Sequence, residues 1–200
     1  MKEKYKLSLA VGALLQPETC IIAKLYIANP NWNALREMVV NENLLHKTRI
    51  SSTFRYFLEI KRRLSIAYPF ELELVAREDP ATPYVLFVLC CRYYGLLGDF
   101  VREVIQDKVS IGQDFIGMDD YYHFIESKRP VHPELDTLSS TSFEKIRQVI
   151  FKILKEVGMV NANKEYSIQR MTVPGYLVEQ YKKADDLAAL EYLLQRIGNK

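Results

Sequence analysis

Asp119, Asp120 and His123 stand in DDYYHF at the i, i+3 and i+4 spacings that place side chains on one helix face. That is the start of a metal site, but a site needs more ligands of the right kind. An acidic first turn also suits the positive end of a helix dipole, so these residues read as a helix start. Glu59-Ile60-Lys61 has the E-x-K form of a nuclease. Such a site needs a strand and an upstream aspartate, whereas this triplet falls inside a helical pattern. Glu59 and Arg63, at i and i+4, read as a surface pair worth only a few tenths of a kcal/mol. His46, His123 and His132 are scattered along the chain. There is no phosphate-binding glycine loop, HExxH or CxxC pattern, and no G-x-S-x-G elbow. The expectation is a chain that is not an enzyme and uses no cofactor and no metal.

Electrostatics and helix starts remain. Residues 46–64 carry Lys47, Arg49, Arg55, Lys61, Arg62 and Arg63 against the single acid Glu59. Residues 99–120 carry Asp99, Glu103, Asp107, Asp114, Asp119 and Asp120 against Arg102 and Lys108. The net charge of +2 hides this segregation. Lysine and arginine neutralise phosphates and release counterions. Serine, threonine and helix-start amides add positioning bonds. Ser51-Ser52-Thr53 and Ser139-Ser140-Thr141 each stand at an expected helix start, as competent caps.

The helices that carry these groups follow from periodicity. One begins at Pro17 and stops before Asn29-Pro30. Asn31 caps the next, with a core stripe of Leu35, Met38 and Val39. In the third, Phe54, Phe57, Leu58 and Leu64 share a side, opposite Ser52, Arg55, Glu59, Arg62 and Arg63. Two helices, a short connection and a basic second helix have helix-turn-helix grammar. Short or apolar helices are expected at 70–79, 82–94 and 98–108, with a linker at 110–118. Beyond it, DDYYHFIESK is helical, and SSTSFEKIRQVIFKILKEVG sets Phe143, Ile146, Ile150, Ile153, Leu154 and Val157 against Thr141, Lys145, Gln148, Lys152 and Lys155. Gly158 stops it. Two short strands around the turn NANK then give the winged form of the motif, and a helix capped by Asp185 or Asp186 closes the pattern.

The expected fold is mainly α, in two halves: residues 1–110 with a helix-turn-helix unit, and 119–200 with a winged-helix-like unit and a terminal helix. The candidate DNA contacts are Lys47, Arg49, Ser52, Thr53, Arg55, Arg62 and Arg63 in the first half. In the second they are Thr141, Lys145, Gln148 and Lys152, with Lys164 and Arg170 on the wing.

Hydrophobic content of 48% and charged content of 26% fit a globular protein and exclude disordered and collagen-like classes. Three cysteines, two of them adjacent, form no disulfide framework and suit a reducing cytoplasm. Lys2, Lys4 and Lys6 before LSLAVGALL imitate a signal peptide, but no cleavage site follows. YVLFVLCC is far shorter than the ~20 residues of a membrane span and reads as a core helix. The 13 tyrosines lie mostly among aliphatics, at core spacing rather than as stacking platforms.

GALLQPETCIIAKLY, NWNALREMVVNENLLHKTRISSTFRYFLEIKRRL and LSSTSFEKIRQVIFKILKEVGMV resemble the BrxA family of BREX bacteriophage-resistance systems. The likeness covers nearly the whole chain. It implies a helical, non-enzymatic cytoplasmic protein that binds double-stranded DNA beside other BREX components. NusB-like RNA binding is one alternative. An adaptor docking proteins through the acidic segment and DDYYHF is another.

Overall fold

The computed structural model describes residues 4–9, 11–162 and 166–194. It is mainly α-helical with one small antiparallel sheet. Helix α1 (Gln16–Ala28) has Pro17 in its first turn. Asn31 caps α2 (Trp32–Asn41), its Oδ1 accepting from the backbone nitrogens of Asn33 and Ala34 at 3.0 and 3.2 Å. Leu35 and Val39 are buried in that helix, whereas Met38, expected in the core stripe, is exposed.

Helix α3 (Ile50–Leu64) starts one residue earlier than the serines suggest. Arg49 takes the cap position without a side-chain cap bond, so Ser51, Ser52 and Thr53 lie within the first turn. Pro69 opens α4 (Pro69–Ala76), and α5 (Thr82–Tyr93) follows. Every residue from Val85 to Cys91 in α5 is buried, which accounts for the unbroken apolar run. This helix is the centre of the fold, with α1, α3, α4, the following helix α6 (Gly95–Phe100) and the C-terminal helix α11 (Leu187–Leu193) packed around it.

After a sharp bend at Tyr94, α6 (Gly95–Phe100) passes through a π-helical turn (Val101–Ile105) into α7 (Gln106–Ser110). The α5 and α6–α7 pair is bent by 107°, and among the described residues no single helix is long and apolar enough to cross a membrane. The stretch expected to be a linker contains a strand, β1 (Phe115–Ile116). Helix α8 (Met118–Lys128), a 3-10 turn (Pro133–Thr137) and α9 (Ser140–Glu156) come next. Strands β2 (Val160–Ala162) and β3 (Tyr166–Ile168) form the expected hairpin, and β1 adds to it in the order β1-β3-β2. Phe115 pairs with Ser167 and Val160 with Ile168. Helix α10 (Gly175–Lys183), absent from the sequence-based expectation, precedes α11.

Both ends of the described chain cross the divide expected at 110–118. At the C-terminal end, Arg92 of α5 holds Glu71 of α4 through two bonds of 3.0 Å and Asp186 of the α11 cap through one of 2.7 Å. Tyr181 of α10 donates to the same Glu71 at 2.8 Å. At the other end, the Tyr5 backbone nitrogen donates to Glu134 at 2.7 Å, and its ring stacks on His132 with centroids 3.7 Å apart. Leu9, Ala13 and Leu14, the run that imitates a signal peptide, sit in the core.

Candidate nucleic-acid interface

Helix α9 is built as its periodicity dictates. Ser139 caps it, Oγ accepting from the Ser142 nitrogen at 3.2 Å. Gly158 ends it in the left-handed region (φ +79°). The Gly158 and Met159 nitrogens there return to the carbonyls of Lys155 and Leu154 at 3.1 and 2.9 Å. Ile146, Val149, Ile150, Ile153 and Leu154 point into the core. Thr141, Lys145, Gln148, Lys152 and Lys155 are all exposed in one row, bordered near the helix C-terminus by the exposed Glu156. The Lys152 side chain is 63% exposed and lies 3.7 Å from Glu156. Arg170 is exposed just past β3, while Lys164 lies outside the described residues.

Helix α3 divides its charges. Arg49 and Arg55 are exposed, and the half-exposed Arg62 lies 3.9 Å from Glu59. Ser52 is half-buried. Lys47 is tied down: its Nζ is 2.6 Å from Glu18 and 4.3 Å from the Tyr56 ring centroid.

Two expected contacts are corrected. Arg63 is 2% exposed and Thr53 is fully buried, so neither faces a ligand. The Arg63 guanidinium donates to Glu59 Oε1 at 2.8 Å and to the Ala13 carbonyl at 2.6 Å. The Tyr94 hydroxyl donates to the same carboxylate oxygen. Thr53 Oγ1 donates to Asn43 Oδ1 at 2.9 Å, bracing the turn before the helix. The reason is packing: α3 touches α1, α2 and α5, and the loop at Ala13 covers the flank that a two-sided helix would leave wet. Glu59–Arg63 is thus a buried pair in a hydrogen-bonded network, not a surface one.

The two helices meet at one cavity of about 380 Å³. Tyr56 of α3, Lys152 and Glu156 of α9, and residues 12–18, the loop before α1 with its first turn, line it. Glu156 Oε2 accepts from the Leu14 nitrogen at 2.9 Å and anchors that loop. Tyr56 was not singled out from the sequence, since a tyrosine among apolar residues carries no distinguishing pattern.

The acidic segment is partly neutralised within the fold. Asp99 accepts from the Tyr5 hydroxyl at 2.6 Å and lies 3.6 Å from Lys128. Asp120 accepts from the Gly117 nitrogen at 2.7 Å and lies 3.0 Å from Lys108, so it serves its helix start. Among the described residues, no three His, Cys, Asp or Glu side chains gather closely enough to hold a metal ion. In DDYYHF, Tyr121 is buried against Phe100 and Phe151, whereas Tyr122 is exposed, stacks on Phe143 and donates to Glu144 at 2.9 Å.

Comparison with known proteins agrees with this architecture. The chain is similar to the BREX protein BrxA of Escherichia coli O9:H4 (strain HS), with 24% identity over 94% of this chain and 83% of that protein. It is 22% identical to the BREX protein BrxA of Paramagnetospirillum magneticum, over 92% of both chains. A crystal structure of an uncharacterized protein from Magnetospirillum magneticum shares the fold, with a TM-score of 0.85 at 20% identity, over 97% of this chain and all of that one. The BrxA family model matches residues 3–183, and the chain belongs to the BrxA family.

Proposed function

We propose that this protein is a non-enzymatic, cytoplasmic component of a BREX phage-defence system that binds double-stranded DNA mainly through phosphate contacts. One observation carries the reading: α9 presents Lys145, Gln148 and Lys152 along one exposed face, with Glu156 at its C-terminal end. A helix of that kind fits a major groove about 12 Å wide, with lysines on the phosphates and a glutamine able to pair with an adenine edge. The order α9, β2, β3 supports a winged-helix reading, with Arg170 exposed just past β3. Arg49, Arg55 and Arg62 of α3 give a second cationic face, and the Tyr56–Lys152 cavity connects the two helices. With few base-reading groups between many cations, the binding is tolerant of sequence. Family membership supports a place beside other BREX proteins.

Fluorescence anisotropy with a labelled duplex at several salt concentrations tests this. The expected result is affinity that falls steeply with salt and is competed by duplex DNA better than by hairpin RNA. Preference for RNA would favour the NusB-like reading. No binding at low salt, together with a stable complex with another BREX protein, would make the chain an adaptor.

A further inference from the structure

A cleft of about 330 Å³ opens where the N-terminal segment crosses the elbow between α5 and α6. Lys4, Lys6, Arg92 and Arg102 line it, against the carboxylates of Asp99 and Glu103, and Tyr5, Tyr93 and His132 supply rings. Its volume lies in the ~300–1,000 Å³ range of small-molecule sites.

Both arginines are held by carboxylates, Arg92 from behind the cleft and Arg102 from within it. Arg92 is gripped by Glu71 and Asp186, neither of which lines the cleft. Arg102 rests against Asp99 at 2.5 Å. A guanidinium fixed in this way is pre-organised, and less freedom is lost per bond when an anion arrives. The two carboxylates of the cleft already face a cation of their own: Lys128 bonds Glu103 and lies 3.6 Å from Asp99. Lys4 and Lys6 are exposed at the rim, and Lys6 Nζ lies 4.3 Å from the Tyr93 ring centroid. The Tyr5 ring, stacked on His132 and bonded to Asp99, holds the lysine-bearing segment beside the arginines.

Fixed guanidinium groups, exposed ammonium groups and the half-buried Tyr93 ring together match a phosphate ester that carries an aromatic base. We infer that this cleft binds a phosphate monoester of nucleotide size, either a free mononucleotide or the 5′-terminal phosphate and first base of a DNA strand. None of its lining residues belongs to the α3 and α9 faces, so this site stands apart from duplex binding.

Isothermal titration calorimetry at low salt with adenosine 5′-monophosphate, adenosine and inorganic phosphate tests the site. The monophosphate is expected to bind, with adenosine at least tenfold weaker. The exposed pair Lys4→Glu and Lys6→Glu together should weaken the monophosphate at least tenfold while leaving the melting temperature unchanged. Tyr93→Ala should weaken the monophosphate but not inorganic phosphate. A Lys145→Glu and Lys152→Glu variant should bind the monophosphate like the parent. No binding up to millimolar monophosphate would overturn the inference. So would adenosine binding as tightly, or binding lost with the α9 variant but untouched by the Lys4 and Lys6 changes. Single strands with and without a 5′-phosphate then identify the source. Selective displacement by the phosphorylated strand assigns the site to a strand end, and no displacement assigns it to a free nucleotide.

Discussion

Helices α3 and α9 carry the same local grammar and use it differently. Each has a serine-serine-threonine start, a basic outer row and an apolar inner row. In α9 the outer row stays outside, and the serine before the helix caps it. In α3 the first serine lies past the helix start, Thr53 turns inward, and Glu59 and Arg63 are sealed beneath the N-terminal loop. The difference lies in the neighbours. Helix α3 is packed against α1, α2 and α5, and its polar flank meets Ala13 and Tyr94. A repeated sequence pattern therefore specifies a repeated helix, not a repeated binding surface.

The largest effect that can break this comparison is on stability. Glu59→Ala leaves the buried Arg63 charge unpaired and should cost about 3–5 kcal/mol, read by urea denaturation. The same change at Glu156 of α9, an exposed residue, should cost far less. Equal losses would mean that the two helices are alike after all.

The next effect is on binding. Lys145→Glu with Lys152→Glu should lower duplex affinity at least tenfold, about 1.4 kcal/mol or more. It should also flatten the salt slope by about two units as two phosphate contacts vanish. Arg55→Glu should weaken binding less, and both variants should keep the parental melting temperature.

Capping separates the helices on a finer scale. Ser139→Ala removes a bonded cap and should cost about 1 kcal/mol. Ser51→Ala removes none and should stay within about 0.5 kcal/mol.

The smallest effect concerns pH. Burial opposes the charge of Asp99, but bonds from Tyr5 and Arg102 and the nearby Lys128 outweigh it, so its carboxyl sits below its ordinary range. A carboxylate depressed in this way contributes stability that is full above its unfolded value near 3.9. That stability is lost as the pH falls through the folded value. Acidification should therefore loosen the N-terminal segment. The hydrogen-exchange protection factor of the Tyr5 amide, taken relative to its intrinsic exchange rate at each pH, should fall with falling pH before those of α9, and Asp99→Asn should remove part of that dependence.

The cysteines give a further check. Burial pushes the thiols of Cys20 and Cys90 up to about 11, so a thiol reagent at neutral pH should label the native protein only slowly.

Much of the fold was legible in the chain. Asn31 and Ser139 cap the helices they precede, Gly158 stops α9, and the run 84–91 is a buried helix, because caps, left-handed stops and apolar periodicity act over a few residues. The outward row of α9 was equally legible, since one side of that helix meets the core and the other meets water. Less legible were the features that depend on what lies across the fold. Strand β1 pairs with a segment about fifty residues away, and α10 docks Tyr181 onto Glu71 of α4. Arg63 looks like any exposed arginine until the Ala13 carbonyl is placed against it.

The sequence by itself determined a mainly helical chain, where most helices begin and end, and a cationic row on α9, because these follow from the periodicity and chemistry of neighbouring residues. Only the tertiary structure decided which charges of α3 face water, how the segments at 5–14 and 181–186 pack across the expected divide, and where Lys4, Arg92 and Arg102 meet around one cleft. Burial is a property of what packs against a residue, and those partners come from positions that local pattern does not connect.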